Sequence, residues 1–298
     1  MENRMLKKSL FASLLCFTSL SFAGRAAPKD CGDGPQPYRL GVRHIEGNGI
    51  GYNRGYTTFE GFFASDVNRW CVMPFLDARA HVFDDGKWAA NAGFGARGIW
   101  GDRIYGINAY YDYRNTKHQH YNQVAMGLET LGKWWDIRLN GYLPVGKKGS
   151  PFFNADFSHF TGHSMIVRRK QQFAMKGADA EIGAHLNSSK VVPFYAAIGP
   201  YYFKGKGHNA YGGKFRLNAQ YRDYIWIEGS ISYDNIFKDI YQGQVAFTLP
   251  LGKKTKIKPR KNINCSDLNH LEHLMVQRVV RTEIIPVDSR KRLTNPSF

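Results

Sequence analysis

Stretches of about ten residues in which apolar and polar side chains alternate recur along this chain, with turn residues between them. From Trp135 to Leu143, the residues Trp135, Ile137, Leu139, Gly141 and Leu143 fall on one side; Asp136, Arg138, Asn140 and Tyr142 fall on the other. A β-strand turns successive side chains to opposite faces, so each stretch builds a sheet with one apolar and one charged face. One such stretch fits many folds. A long series of them behind a secretory leader fits a transmembrane antiparallel β-barrel, with lipid outside and a polar lumen within. Closure follows from solvent: in hydrocarbon an open sheet edge would leave a row of N–H and C=O groups unpaired.

The leader is legible. Arg4, Lys7 and Lys8 precede an apolar run from Leu10 to Leu20, and Ser21-Phe22-Ala23 supplies small residues for cleavage, with Ala27 as a second site. Residues 1–23 are expected to be a signal peptide and residues 24–37 a periplasmic lead-in. After the leader no run of about 18 apolar residues occurs, which excludes a helical membrane protein. Cys16 lies in the leader; Cys31, Cys71 and Cys265 remain, and export to an oxidising compartment makes a disulfide among them a candidate. Their spacing does not suit a metal.

The alternation predicts an all-β fold of about twelve strands over residues 38–46, 57–64, 73–83, 88–99, 103–114, 121–131, 135–145, 176–187, 191–203, 212–222, 224–235 and 241–251, a barrel domain over 38–251. A β-sandwich with one solvated face also alternates. Strand length and number, the leader, and Trp88, Tyr105, Tyr113, Trp135, Tyr201 and Tyr233 near strand ends favour the barrel. Links at 100–102, 132–134, 188–190 and 223 are short, whereas those at 115–120, 146–175, 204–211 and 236–240 are longer. That is the asymmetry of periplasmic turns and outer loops, although the link at 65–72 is long where a turn is expected.

The lumen face is predicted to carry a polar network of Asp77, Arg79, His81, Arg97, Asp112, Glu129, Asp136, Arg138, Asp179, Glu181, Arg216 and Glu228. Both signs are present, and mutual pairing offsets the cost of confining ions. Structural pairing of Asp179 and Glu181 with Arg138 or Arg216 is favoured over a catalytic acid cluster. Ser164 beside His163 is no catalytic pair, because adjacent strand residues point apart. His270 and His273 lack further metal ligands. The glycines from Gly47 to Gly55 lack the βαβ setting of a phosphate cradle and instead permit a sharp bend. No enzyme, cofactor or metal is expected.

After Leu251 the alternation stops. Residues 252–298 hold eleven Lys or Arg against four Asp or Glu, giving +7 of the chain's net +17. A nucleic-acid partner is not expected, since no groove-reading element is visible and the compartment is wrong. The tail is predicted to comprise a basic linker, a short helix capped by Ser266 with Leu268, Leu271, Leu274 and Met275 on one face, and an extended piece over 278–285. It either plugs the lumen or reaches the surface as a peptide. The expected location is the bacterial outer membrane. Expected partners are outer-membrane lipid and lipopolysaccharide, barrel-assembly machinery, and a host-surface ligand met by the outer loops.

Particular runs resemble a known family. Gly49-Ile-Gly-Tyr-Asn-Arg-Gly-Tyr56, Pro74-Phe-Leu-Asp-Ala-Arg79, Asn108-Ala-Tyr-Tyr-Asp-Tyr113, Gly127-Leu-Glu129 and Trp135-Asp-Ile-Arg-Leu-Asn-Gly-Tyr-Leu-Pro144 resemble the β-domain of inverse autotransporters, the intimin/invasin type. The resemblance spans about residues 40–285 and implies a twelve-stranded outer-membrane barrel whose following segment, here 278–285, returns through the lumen. In that family the segment leads to adhesive domains. Only 47 residues follow Leu251, so the expectation is a scaffold without a passenger, with a pore or a barrel-embedded lipid- or peptide-hydrolysing enzyme as alternatives.

Overall fold

Side-chain alternation becomes a wall in the computed structural model, which describes residues 30–65, 72–186, 192–222, 224–260 and 263–294. The leader and Cys71 lie outside the described residues. The strands are β1 (Tyr38–Gly47), β2 (Tyr56–Ala64), β3 (Val72–Phe83), β4 (Trp88–Trp100), β5 (Arg103–Asn115), β6 (His120–Gly132), β7 (Trp135–Val145), β8 (Phe153–Thr161), β9 (Ser164–Ala174), β10 (Lys176–Leu186), β11 (Phe194–Lys204), β12 (Asn209–Tyr221), β13 (Ile225–Asp234), β14 (Lys238–Leu251) and β15 (Val287–Thr294), with one helix, α1 (Cys265–Met275), among the described residues. No helix among them is long and apolar enough to cross a membrane.

Twelve of these strands close an antiparallel barrel, β1 pairing with both β2 and β14. Chain neighbours pair throughout except where β7 pairs with β10 and leaves β8 and β9 outside the wall. The faces sort as the sequence predicts. Leu76 and Phe94 are 61% and 64% exposed on the outer face, whereas Asp77 and Arg97, one register face away, are 3% and 0% exposed. The apolar side chains excluded from water in an ordinary domain are here the exposed ones, as a lipid solvent requires.

Three elements depart from the sequence reading. The link 146–175, expected as a loop, contains the β8–β9 hairpin, and β15 adds to it as a third strand in the order β15-β9-β8. These strands project beyond the wall with little buried on either face, so no alternation marks them. Helix α1 is capped by Asn264, whose side-chain oxygen accepts from the Asp267 N–H, and not by Ser266. Tyr201, expected near a strand end, lies near the end of β11 but points into the lumen and donates to Asp234 at 2.7 Å.

The two ends of the barrel differ. At one, the turn end, strands connect through 101–102, 133–134 and the short step from Tyr221 to Ile225, and also through the longer β2–β3 and β10–β11 links, which lie partly outside the described residues; at the other, the loop end, through 48–55, 84–87, 116–119, 205–208, 235–237 and the β8–β9 hairpin. The lead-in and the linker after β14 meet at the turn end. There Cys31 and Cys265 form a disulfide, Asp33 pairs with Lys256 at 2.8 Å, and their backbones bond reciprocally at Cys31–Ile257 and Ile257–Gly32. The disulfide closes a loop of 234 residues that contains the whole barrel, anchoring the start of α1 beneath it.

Candidate functional site

The lumen is occupied by the chain's own tail. Helix α1 lies inside the turn end against β4, β5 and β6, burying Leu268 and packing Leu271, Leu274 and Met275 into a cluster with Phe62, Phe75, Ile104 and Leu131. Lys133 in a turn pairs with Asp267 at 2.6 Å. His270 on α1 packs edge-on against His185 of β10, their ring centroids 5.4 Å apart. Beyond α1 the chain is extended and unpaired until β15. A peptide with no sheet partner must find other partners for its N–H and C=O groups. The lumen wall supplies them.

Arg97 donates to the carbonyls of Met275 and Gln277, closing the C-terminal end of α1 where helix carbonyls lack internal partners. Higher up, Arg79 donates to Val279 O at 2.9 Å, Asn140 to Val280 O at 3.3 Å, Asn91 to Glu283 O at 2.9 Å, and Arg114 to Ile285 O. The Thr282 N–H donates to the Tyr142 hydroxyl at 2.7 Å. Met175 N–H then donates to Pro286 O at 2.9 Å, and from Val287 onward the tail pairs with β9. The tail thus crosses the barrel from turn end to loop end.

Its side chains are matched as closely. Glu283 pairs with Arg43 at 2.7 Å, with Arg79 and with Arg278, and the barrel carboxylates Glu60 and Asp77 complete the shell around those two wall guanidiniums. Arg281 makes a two-pronged contact with Asp112 and lies over the ring of Tyr110. Arg278 stacks 3.9 Å above Trp226. Thr282 donates to Asp179, which also accepts from Tyr142 and Asn140.

The predicted lumen residues divide by role. Arg79, Arg97, Asp112 and Asp179 touch the tail, and Asp77 holds Arg79 against it. Arg97 also binds Glu129 at 2.7 Å. Asp136, Arg138, Glu181, Arg216 and Glu228 form a ladder around the opposite wall, each carboxylate against a guanidinium, with no direct tail contact among their hydrogen bonds and ion pairs. His81 is buried between Thr58 and Asn91, bracing the wall. Asp179 and Glu181 do not form an acid cluster with Glu129 or Asp136: across the β7–β10 register Asp179 faces Asn140, and Glu181 faces Arg138. No cluster of three metal-ligating side chains occurs among the described residues.

Sequence reasoning missed Arg43, Arg114, Tyr110 and the tail residues Arg281 and Glu283. A signal existed: three charges set among aliphatic residues in Arg278–Ile285 suit an interior that is both polar and packed.

The exit is closed by the β1–β2 loop. Gly51 has φ of +78°, and a Cβ there would sit 2.3 Å from the Val287 nitrogen. Arg114 bridges Gly51 O and Ile285 O, clamping loop to tail. Gly51→Ala is therefore expected to cost about 1–3 kcal/mol, read as a lower midpoint in the heat-induced mobility shift on a gel, while Gly86→Ala, at an open hairpin tip, moves it less.

Comparisons with known proteins agree with this geometry. Residues 62–157 match the family model of the inverse autotransporter β-domain. No curated protein matches the chain. A chain solved in work on the in-meso crystallization of membrane proteins superposes with a TM-score of 0.59 at 14% identity, covering 85% of this chain and 99% of that one. An outer membrane channel from Pseudomonas putida F1 gives 0.46 at 9% identity, covering 76% and 100%. The translocator domain of the autotransporter NalP from Neisseria meningitidis gives 0.31 at 10%, covering 74% and 89%. The first shares the fold; the scores of the other two carry no argument. The alternating wall, its closure and the family match over residues 62–157 together make this chain a bacterial outer-membrane β-barrel that carries the inverse autotransporter β-domain signature.

Proposed function

We propose that this barrel is a non-enzymatic holder that threads its own C-terminal segment across the outer membrane and presents it outside. The observation that supports this most is the row of carbonyls from Met275 to Ile285, bonded one after another by Arg97, Arg79, Asn140, Asn91 and Arg114 and leading into the β9–β15 pairing. A catalytic site needs an open cleft around its reactive groups, whereas here the lumen carboxylates face guanidiniums and tail peptides. The loop end faces outward in this reading, because the lead-in, the disulfide and the short turns share the other end. Residues 38–251 then form the anchor, and residues 252–298 the threaded and displayed segment.

The experiment is an epitope tag joined after Phe298 and probed with antibody on intact cells. Binding on intact cells is the expected outcome; binding only after permeabilisation overturns the proposal.

A further inference from the structure

The lipid-facing side of the wall is not uniformly convex. Across β6, β7, β10 and β11 it sinks into an apolar groove of about 590 Å³, lined by Met126, Leu128, Leu139, Gly141, Ala178 and Tyr202. The cause is the cross-strand pairing of two small residues, Gly141 with Ala178, beside Tyr202, which pairs with Ala178 on its other side. A Cβ added to Gly141 would meet nothing within 4 Å, so the floor of the groove is open.

Two residues toward the loop end, on the same outer face, Lys176 stands directly opposite Lys204 in the β10–β11 register. Both are exposed, and among the described residues neither takes part in an ion pair. Like charges placed directly opposite each other on a sheet repel, and an anion between them removes that cost. The arrangement is a pair of cations at the head of a greasy trough. That is the complement of an amphiphile with a phosphate head and acyl chains.

We propose that Lys176, Lys204 and this groove form a binding site for a phosphorylated acyl lipid of the outer leaflet, the phosphate between the two ammonium groups and an acyl chain along Gly141 and Ala178. The leaflet assignment rests on the orientation proposed above; the binding itself does not. Lysines at the edge of the hydrocarbon hold anionic head groups through charge, and the trough adds chain contact that free phosphate cannot make.

The test is native mass spectrometry of the full-length folded protein in detergent, titrated with lipid A, a phosphorylated acyl glucosamine disaccharide. Parallel titrations use dephosphorylated lipid A and inorganic phosphate. The variants are Lys176→Gln with Lys204→Gln, which removes both charges, and Gly141→Leu, which fills the trough. Retention of the heat-induced mobility shift establishes that each variant is folded. The site predicts a lipid A adduct weakened about tenfold or more by the double lysine substitution, weakened also by Gly141→Leu and by dephosphorylation, and not displaced by equal inorganic phosphate. Unchanged binding in the lysine variant or in Gly141→Leu overturns it. So does displacement by inorganic phosphate, which would mean a bare anion site. Because this experiment is done in detergent, its failure is separable from a failure of the display experiment, which reads sidedness in cells.

Discussion

Deleting residues 252–298 opens a pore. In planar bilayers the truncated barrel is expected to show discrete conductance steps that the full chain lacks. Eight strands enclose an interior that side chains fill, and sixteen to eighteen enclose a water channel; twelve leave room for a helix and one extended chain. That room is taken by α1 and the segment 276–286, beside which lies a cavity of about 60 Å³ lined by Arg43, Lys214, Arg216, Arg278 and Glu283. A cavity of that size holds a few waters. The wall itself does not depend on the tail, because β1 and β14 pair over ten registers, Tyr38–Leu251 to Gly47–Gln242. Once hydrated, Arg43, Arg79 and Asp112 become pore-lining charges. Equal conductance with and without the tail contradicts this account of the lumen.

The second large effect is expected at one side chain. Glu283→Gln keeps the shape and hydrogen-bonding capacity of the residue but removes the charge shared by Arg43, Arg79 and Arg278. Breaking a buried ion pair by removing one partner costs about 3–5 kcal/mol, because the remaining charge stays buried and uncompensated. Glu60 and Asp77 keep Arg43 and Arg79 partly paired, so the loss falls mainly on the tail. The expected result is an unchanged barrel with a loosened tail: intermittent conductance in bilayers and faster hydrogen exchange over 276–286, with near-normal exchange in the strands. Combining Glu283→Gln with Arg79→Gln restores part of the loss if the two act on each other, and the coupling is read as a double-mutant cycle. Simple additivity would place Glu283 outside the grip on the tail.

How much of this was legible in the sequence depends on the solvent each segment meets. Where lipid lies on one side and a polar lumen on the other, alternation is strict, and β3 is placed to within a residue, with Asp77 and Arg79 on the correct face. Where water lies on both sides, alternation has no cause, and β8, β9 and β15 leave no such trace. The tail follows a third rule. Residues 276–286 are bonded to side chains from strands up to 240 residues away, such as Arg43 on Glu283, and no local pattern encodes a partner so distant. What the sequence did hold was composition: Arg281 and Glu283 among valines and isoleucines suit a lumen that is packed and ionic at once. The disulfide was legible as a set of three cysteines, not as the bond between Cys31 and Cys265.

The central claim is that the tail enters the barrel at the periplasmic end and leaves it outside. It is tested most directly by labelling intact cells with a membrane-impermeant maleimide, using Leu293→Cys on exposed β15 and Ser266→Cys at the exposed start of α1, each measured against the unsubstituted chain. The account predicts that Leu293→Cys is labelled on intact cells and that Ser266→Cys is labelled only after the outer membrane is permeabilised. Labelling of Ser266→Cys on intact cells, with Leu293→Cys protected, would contradict it.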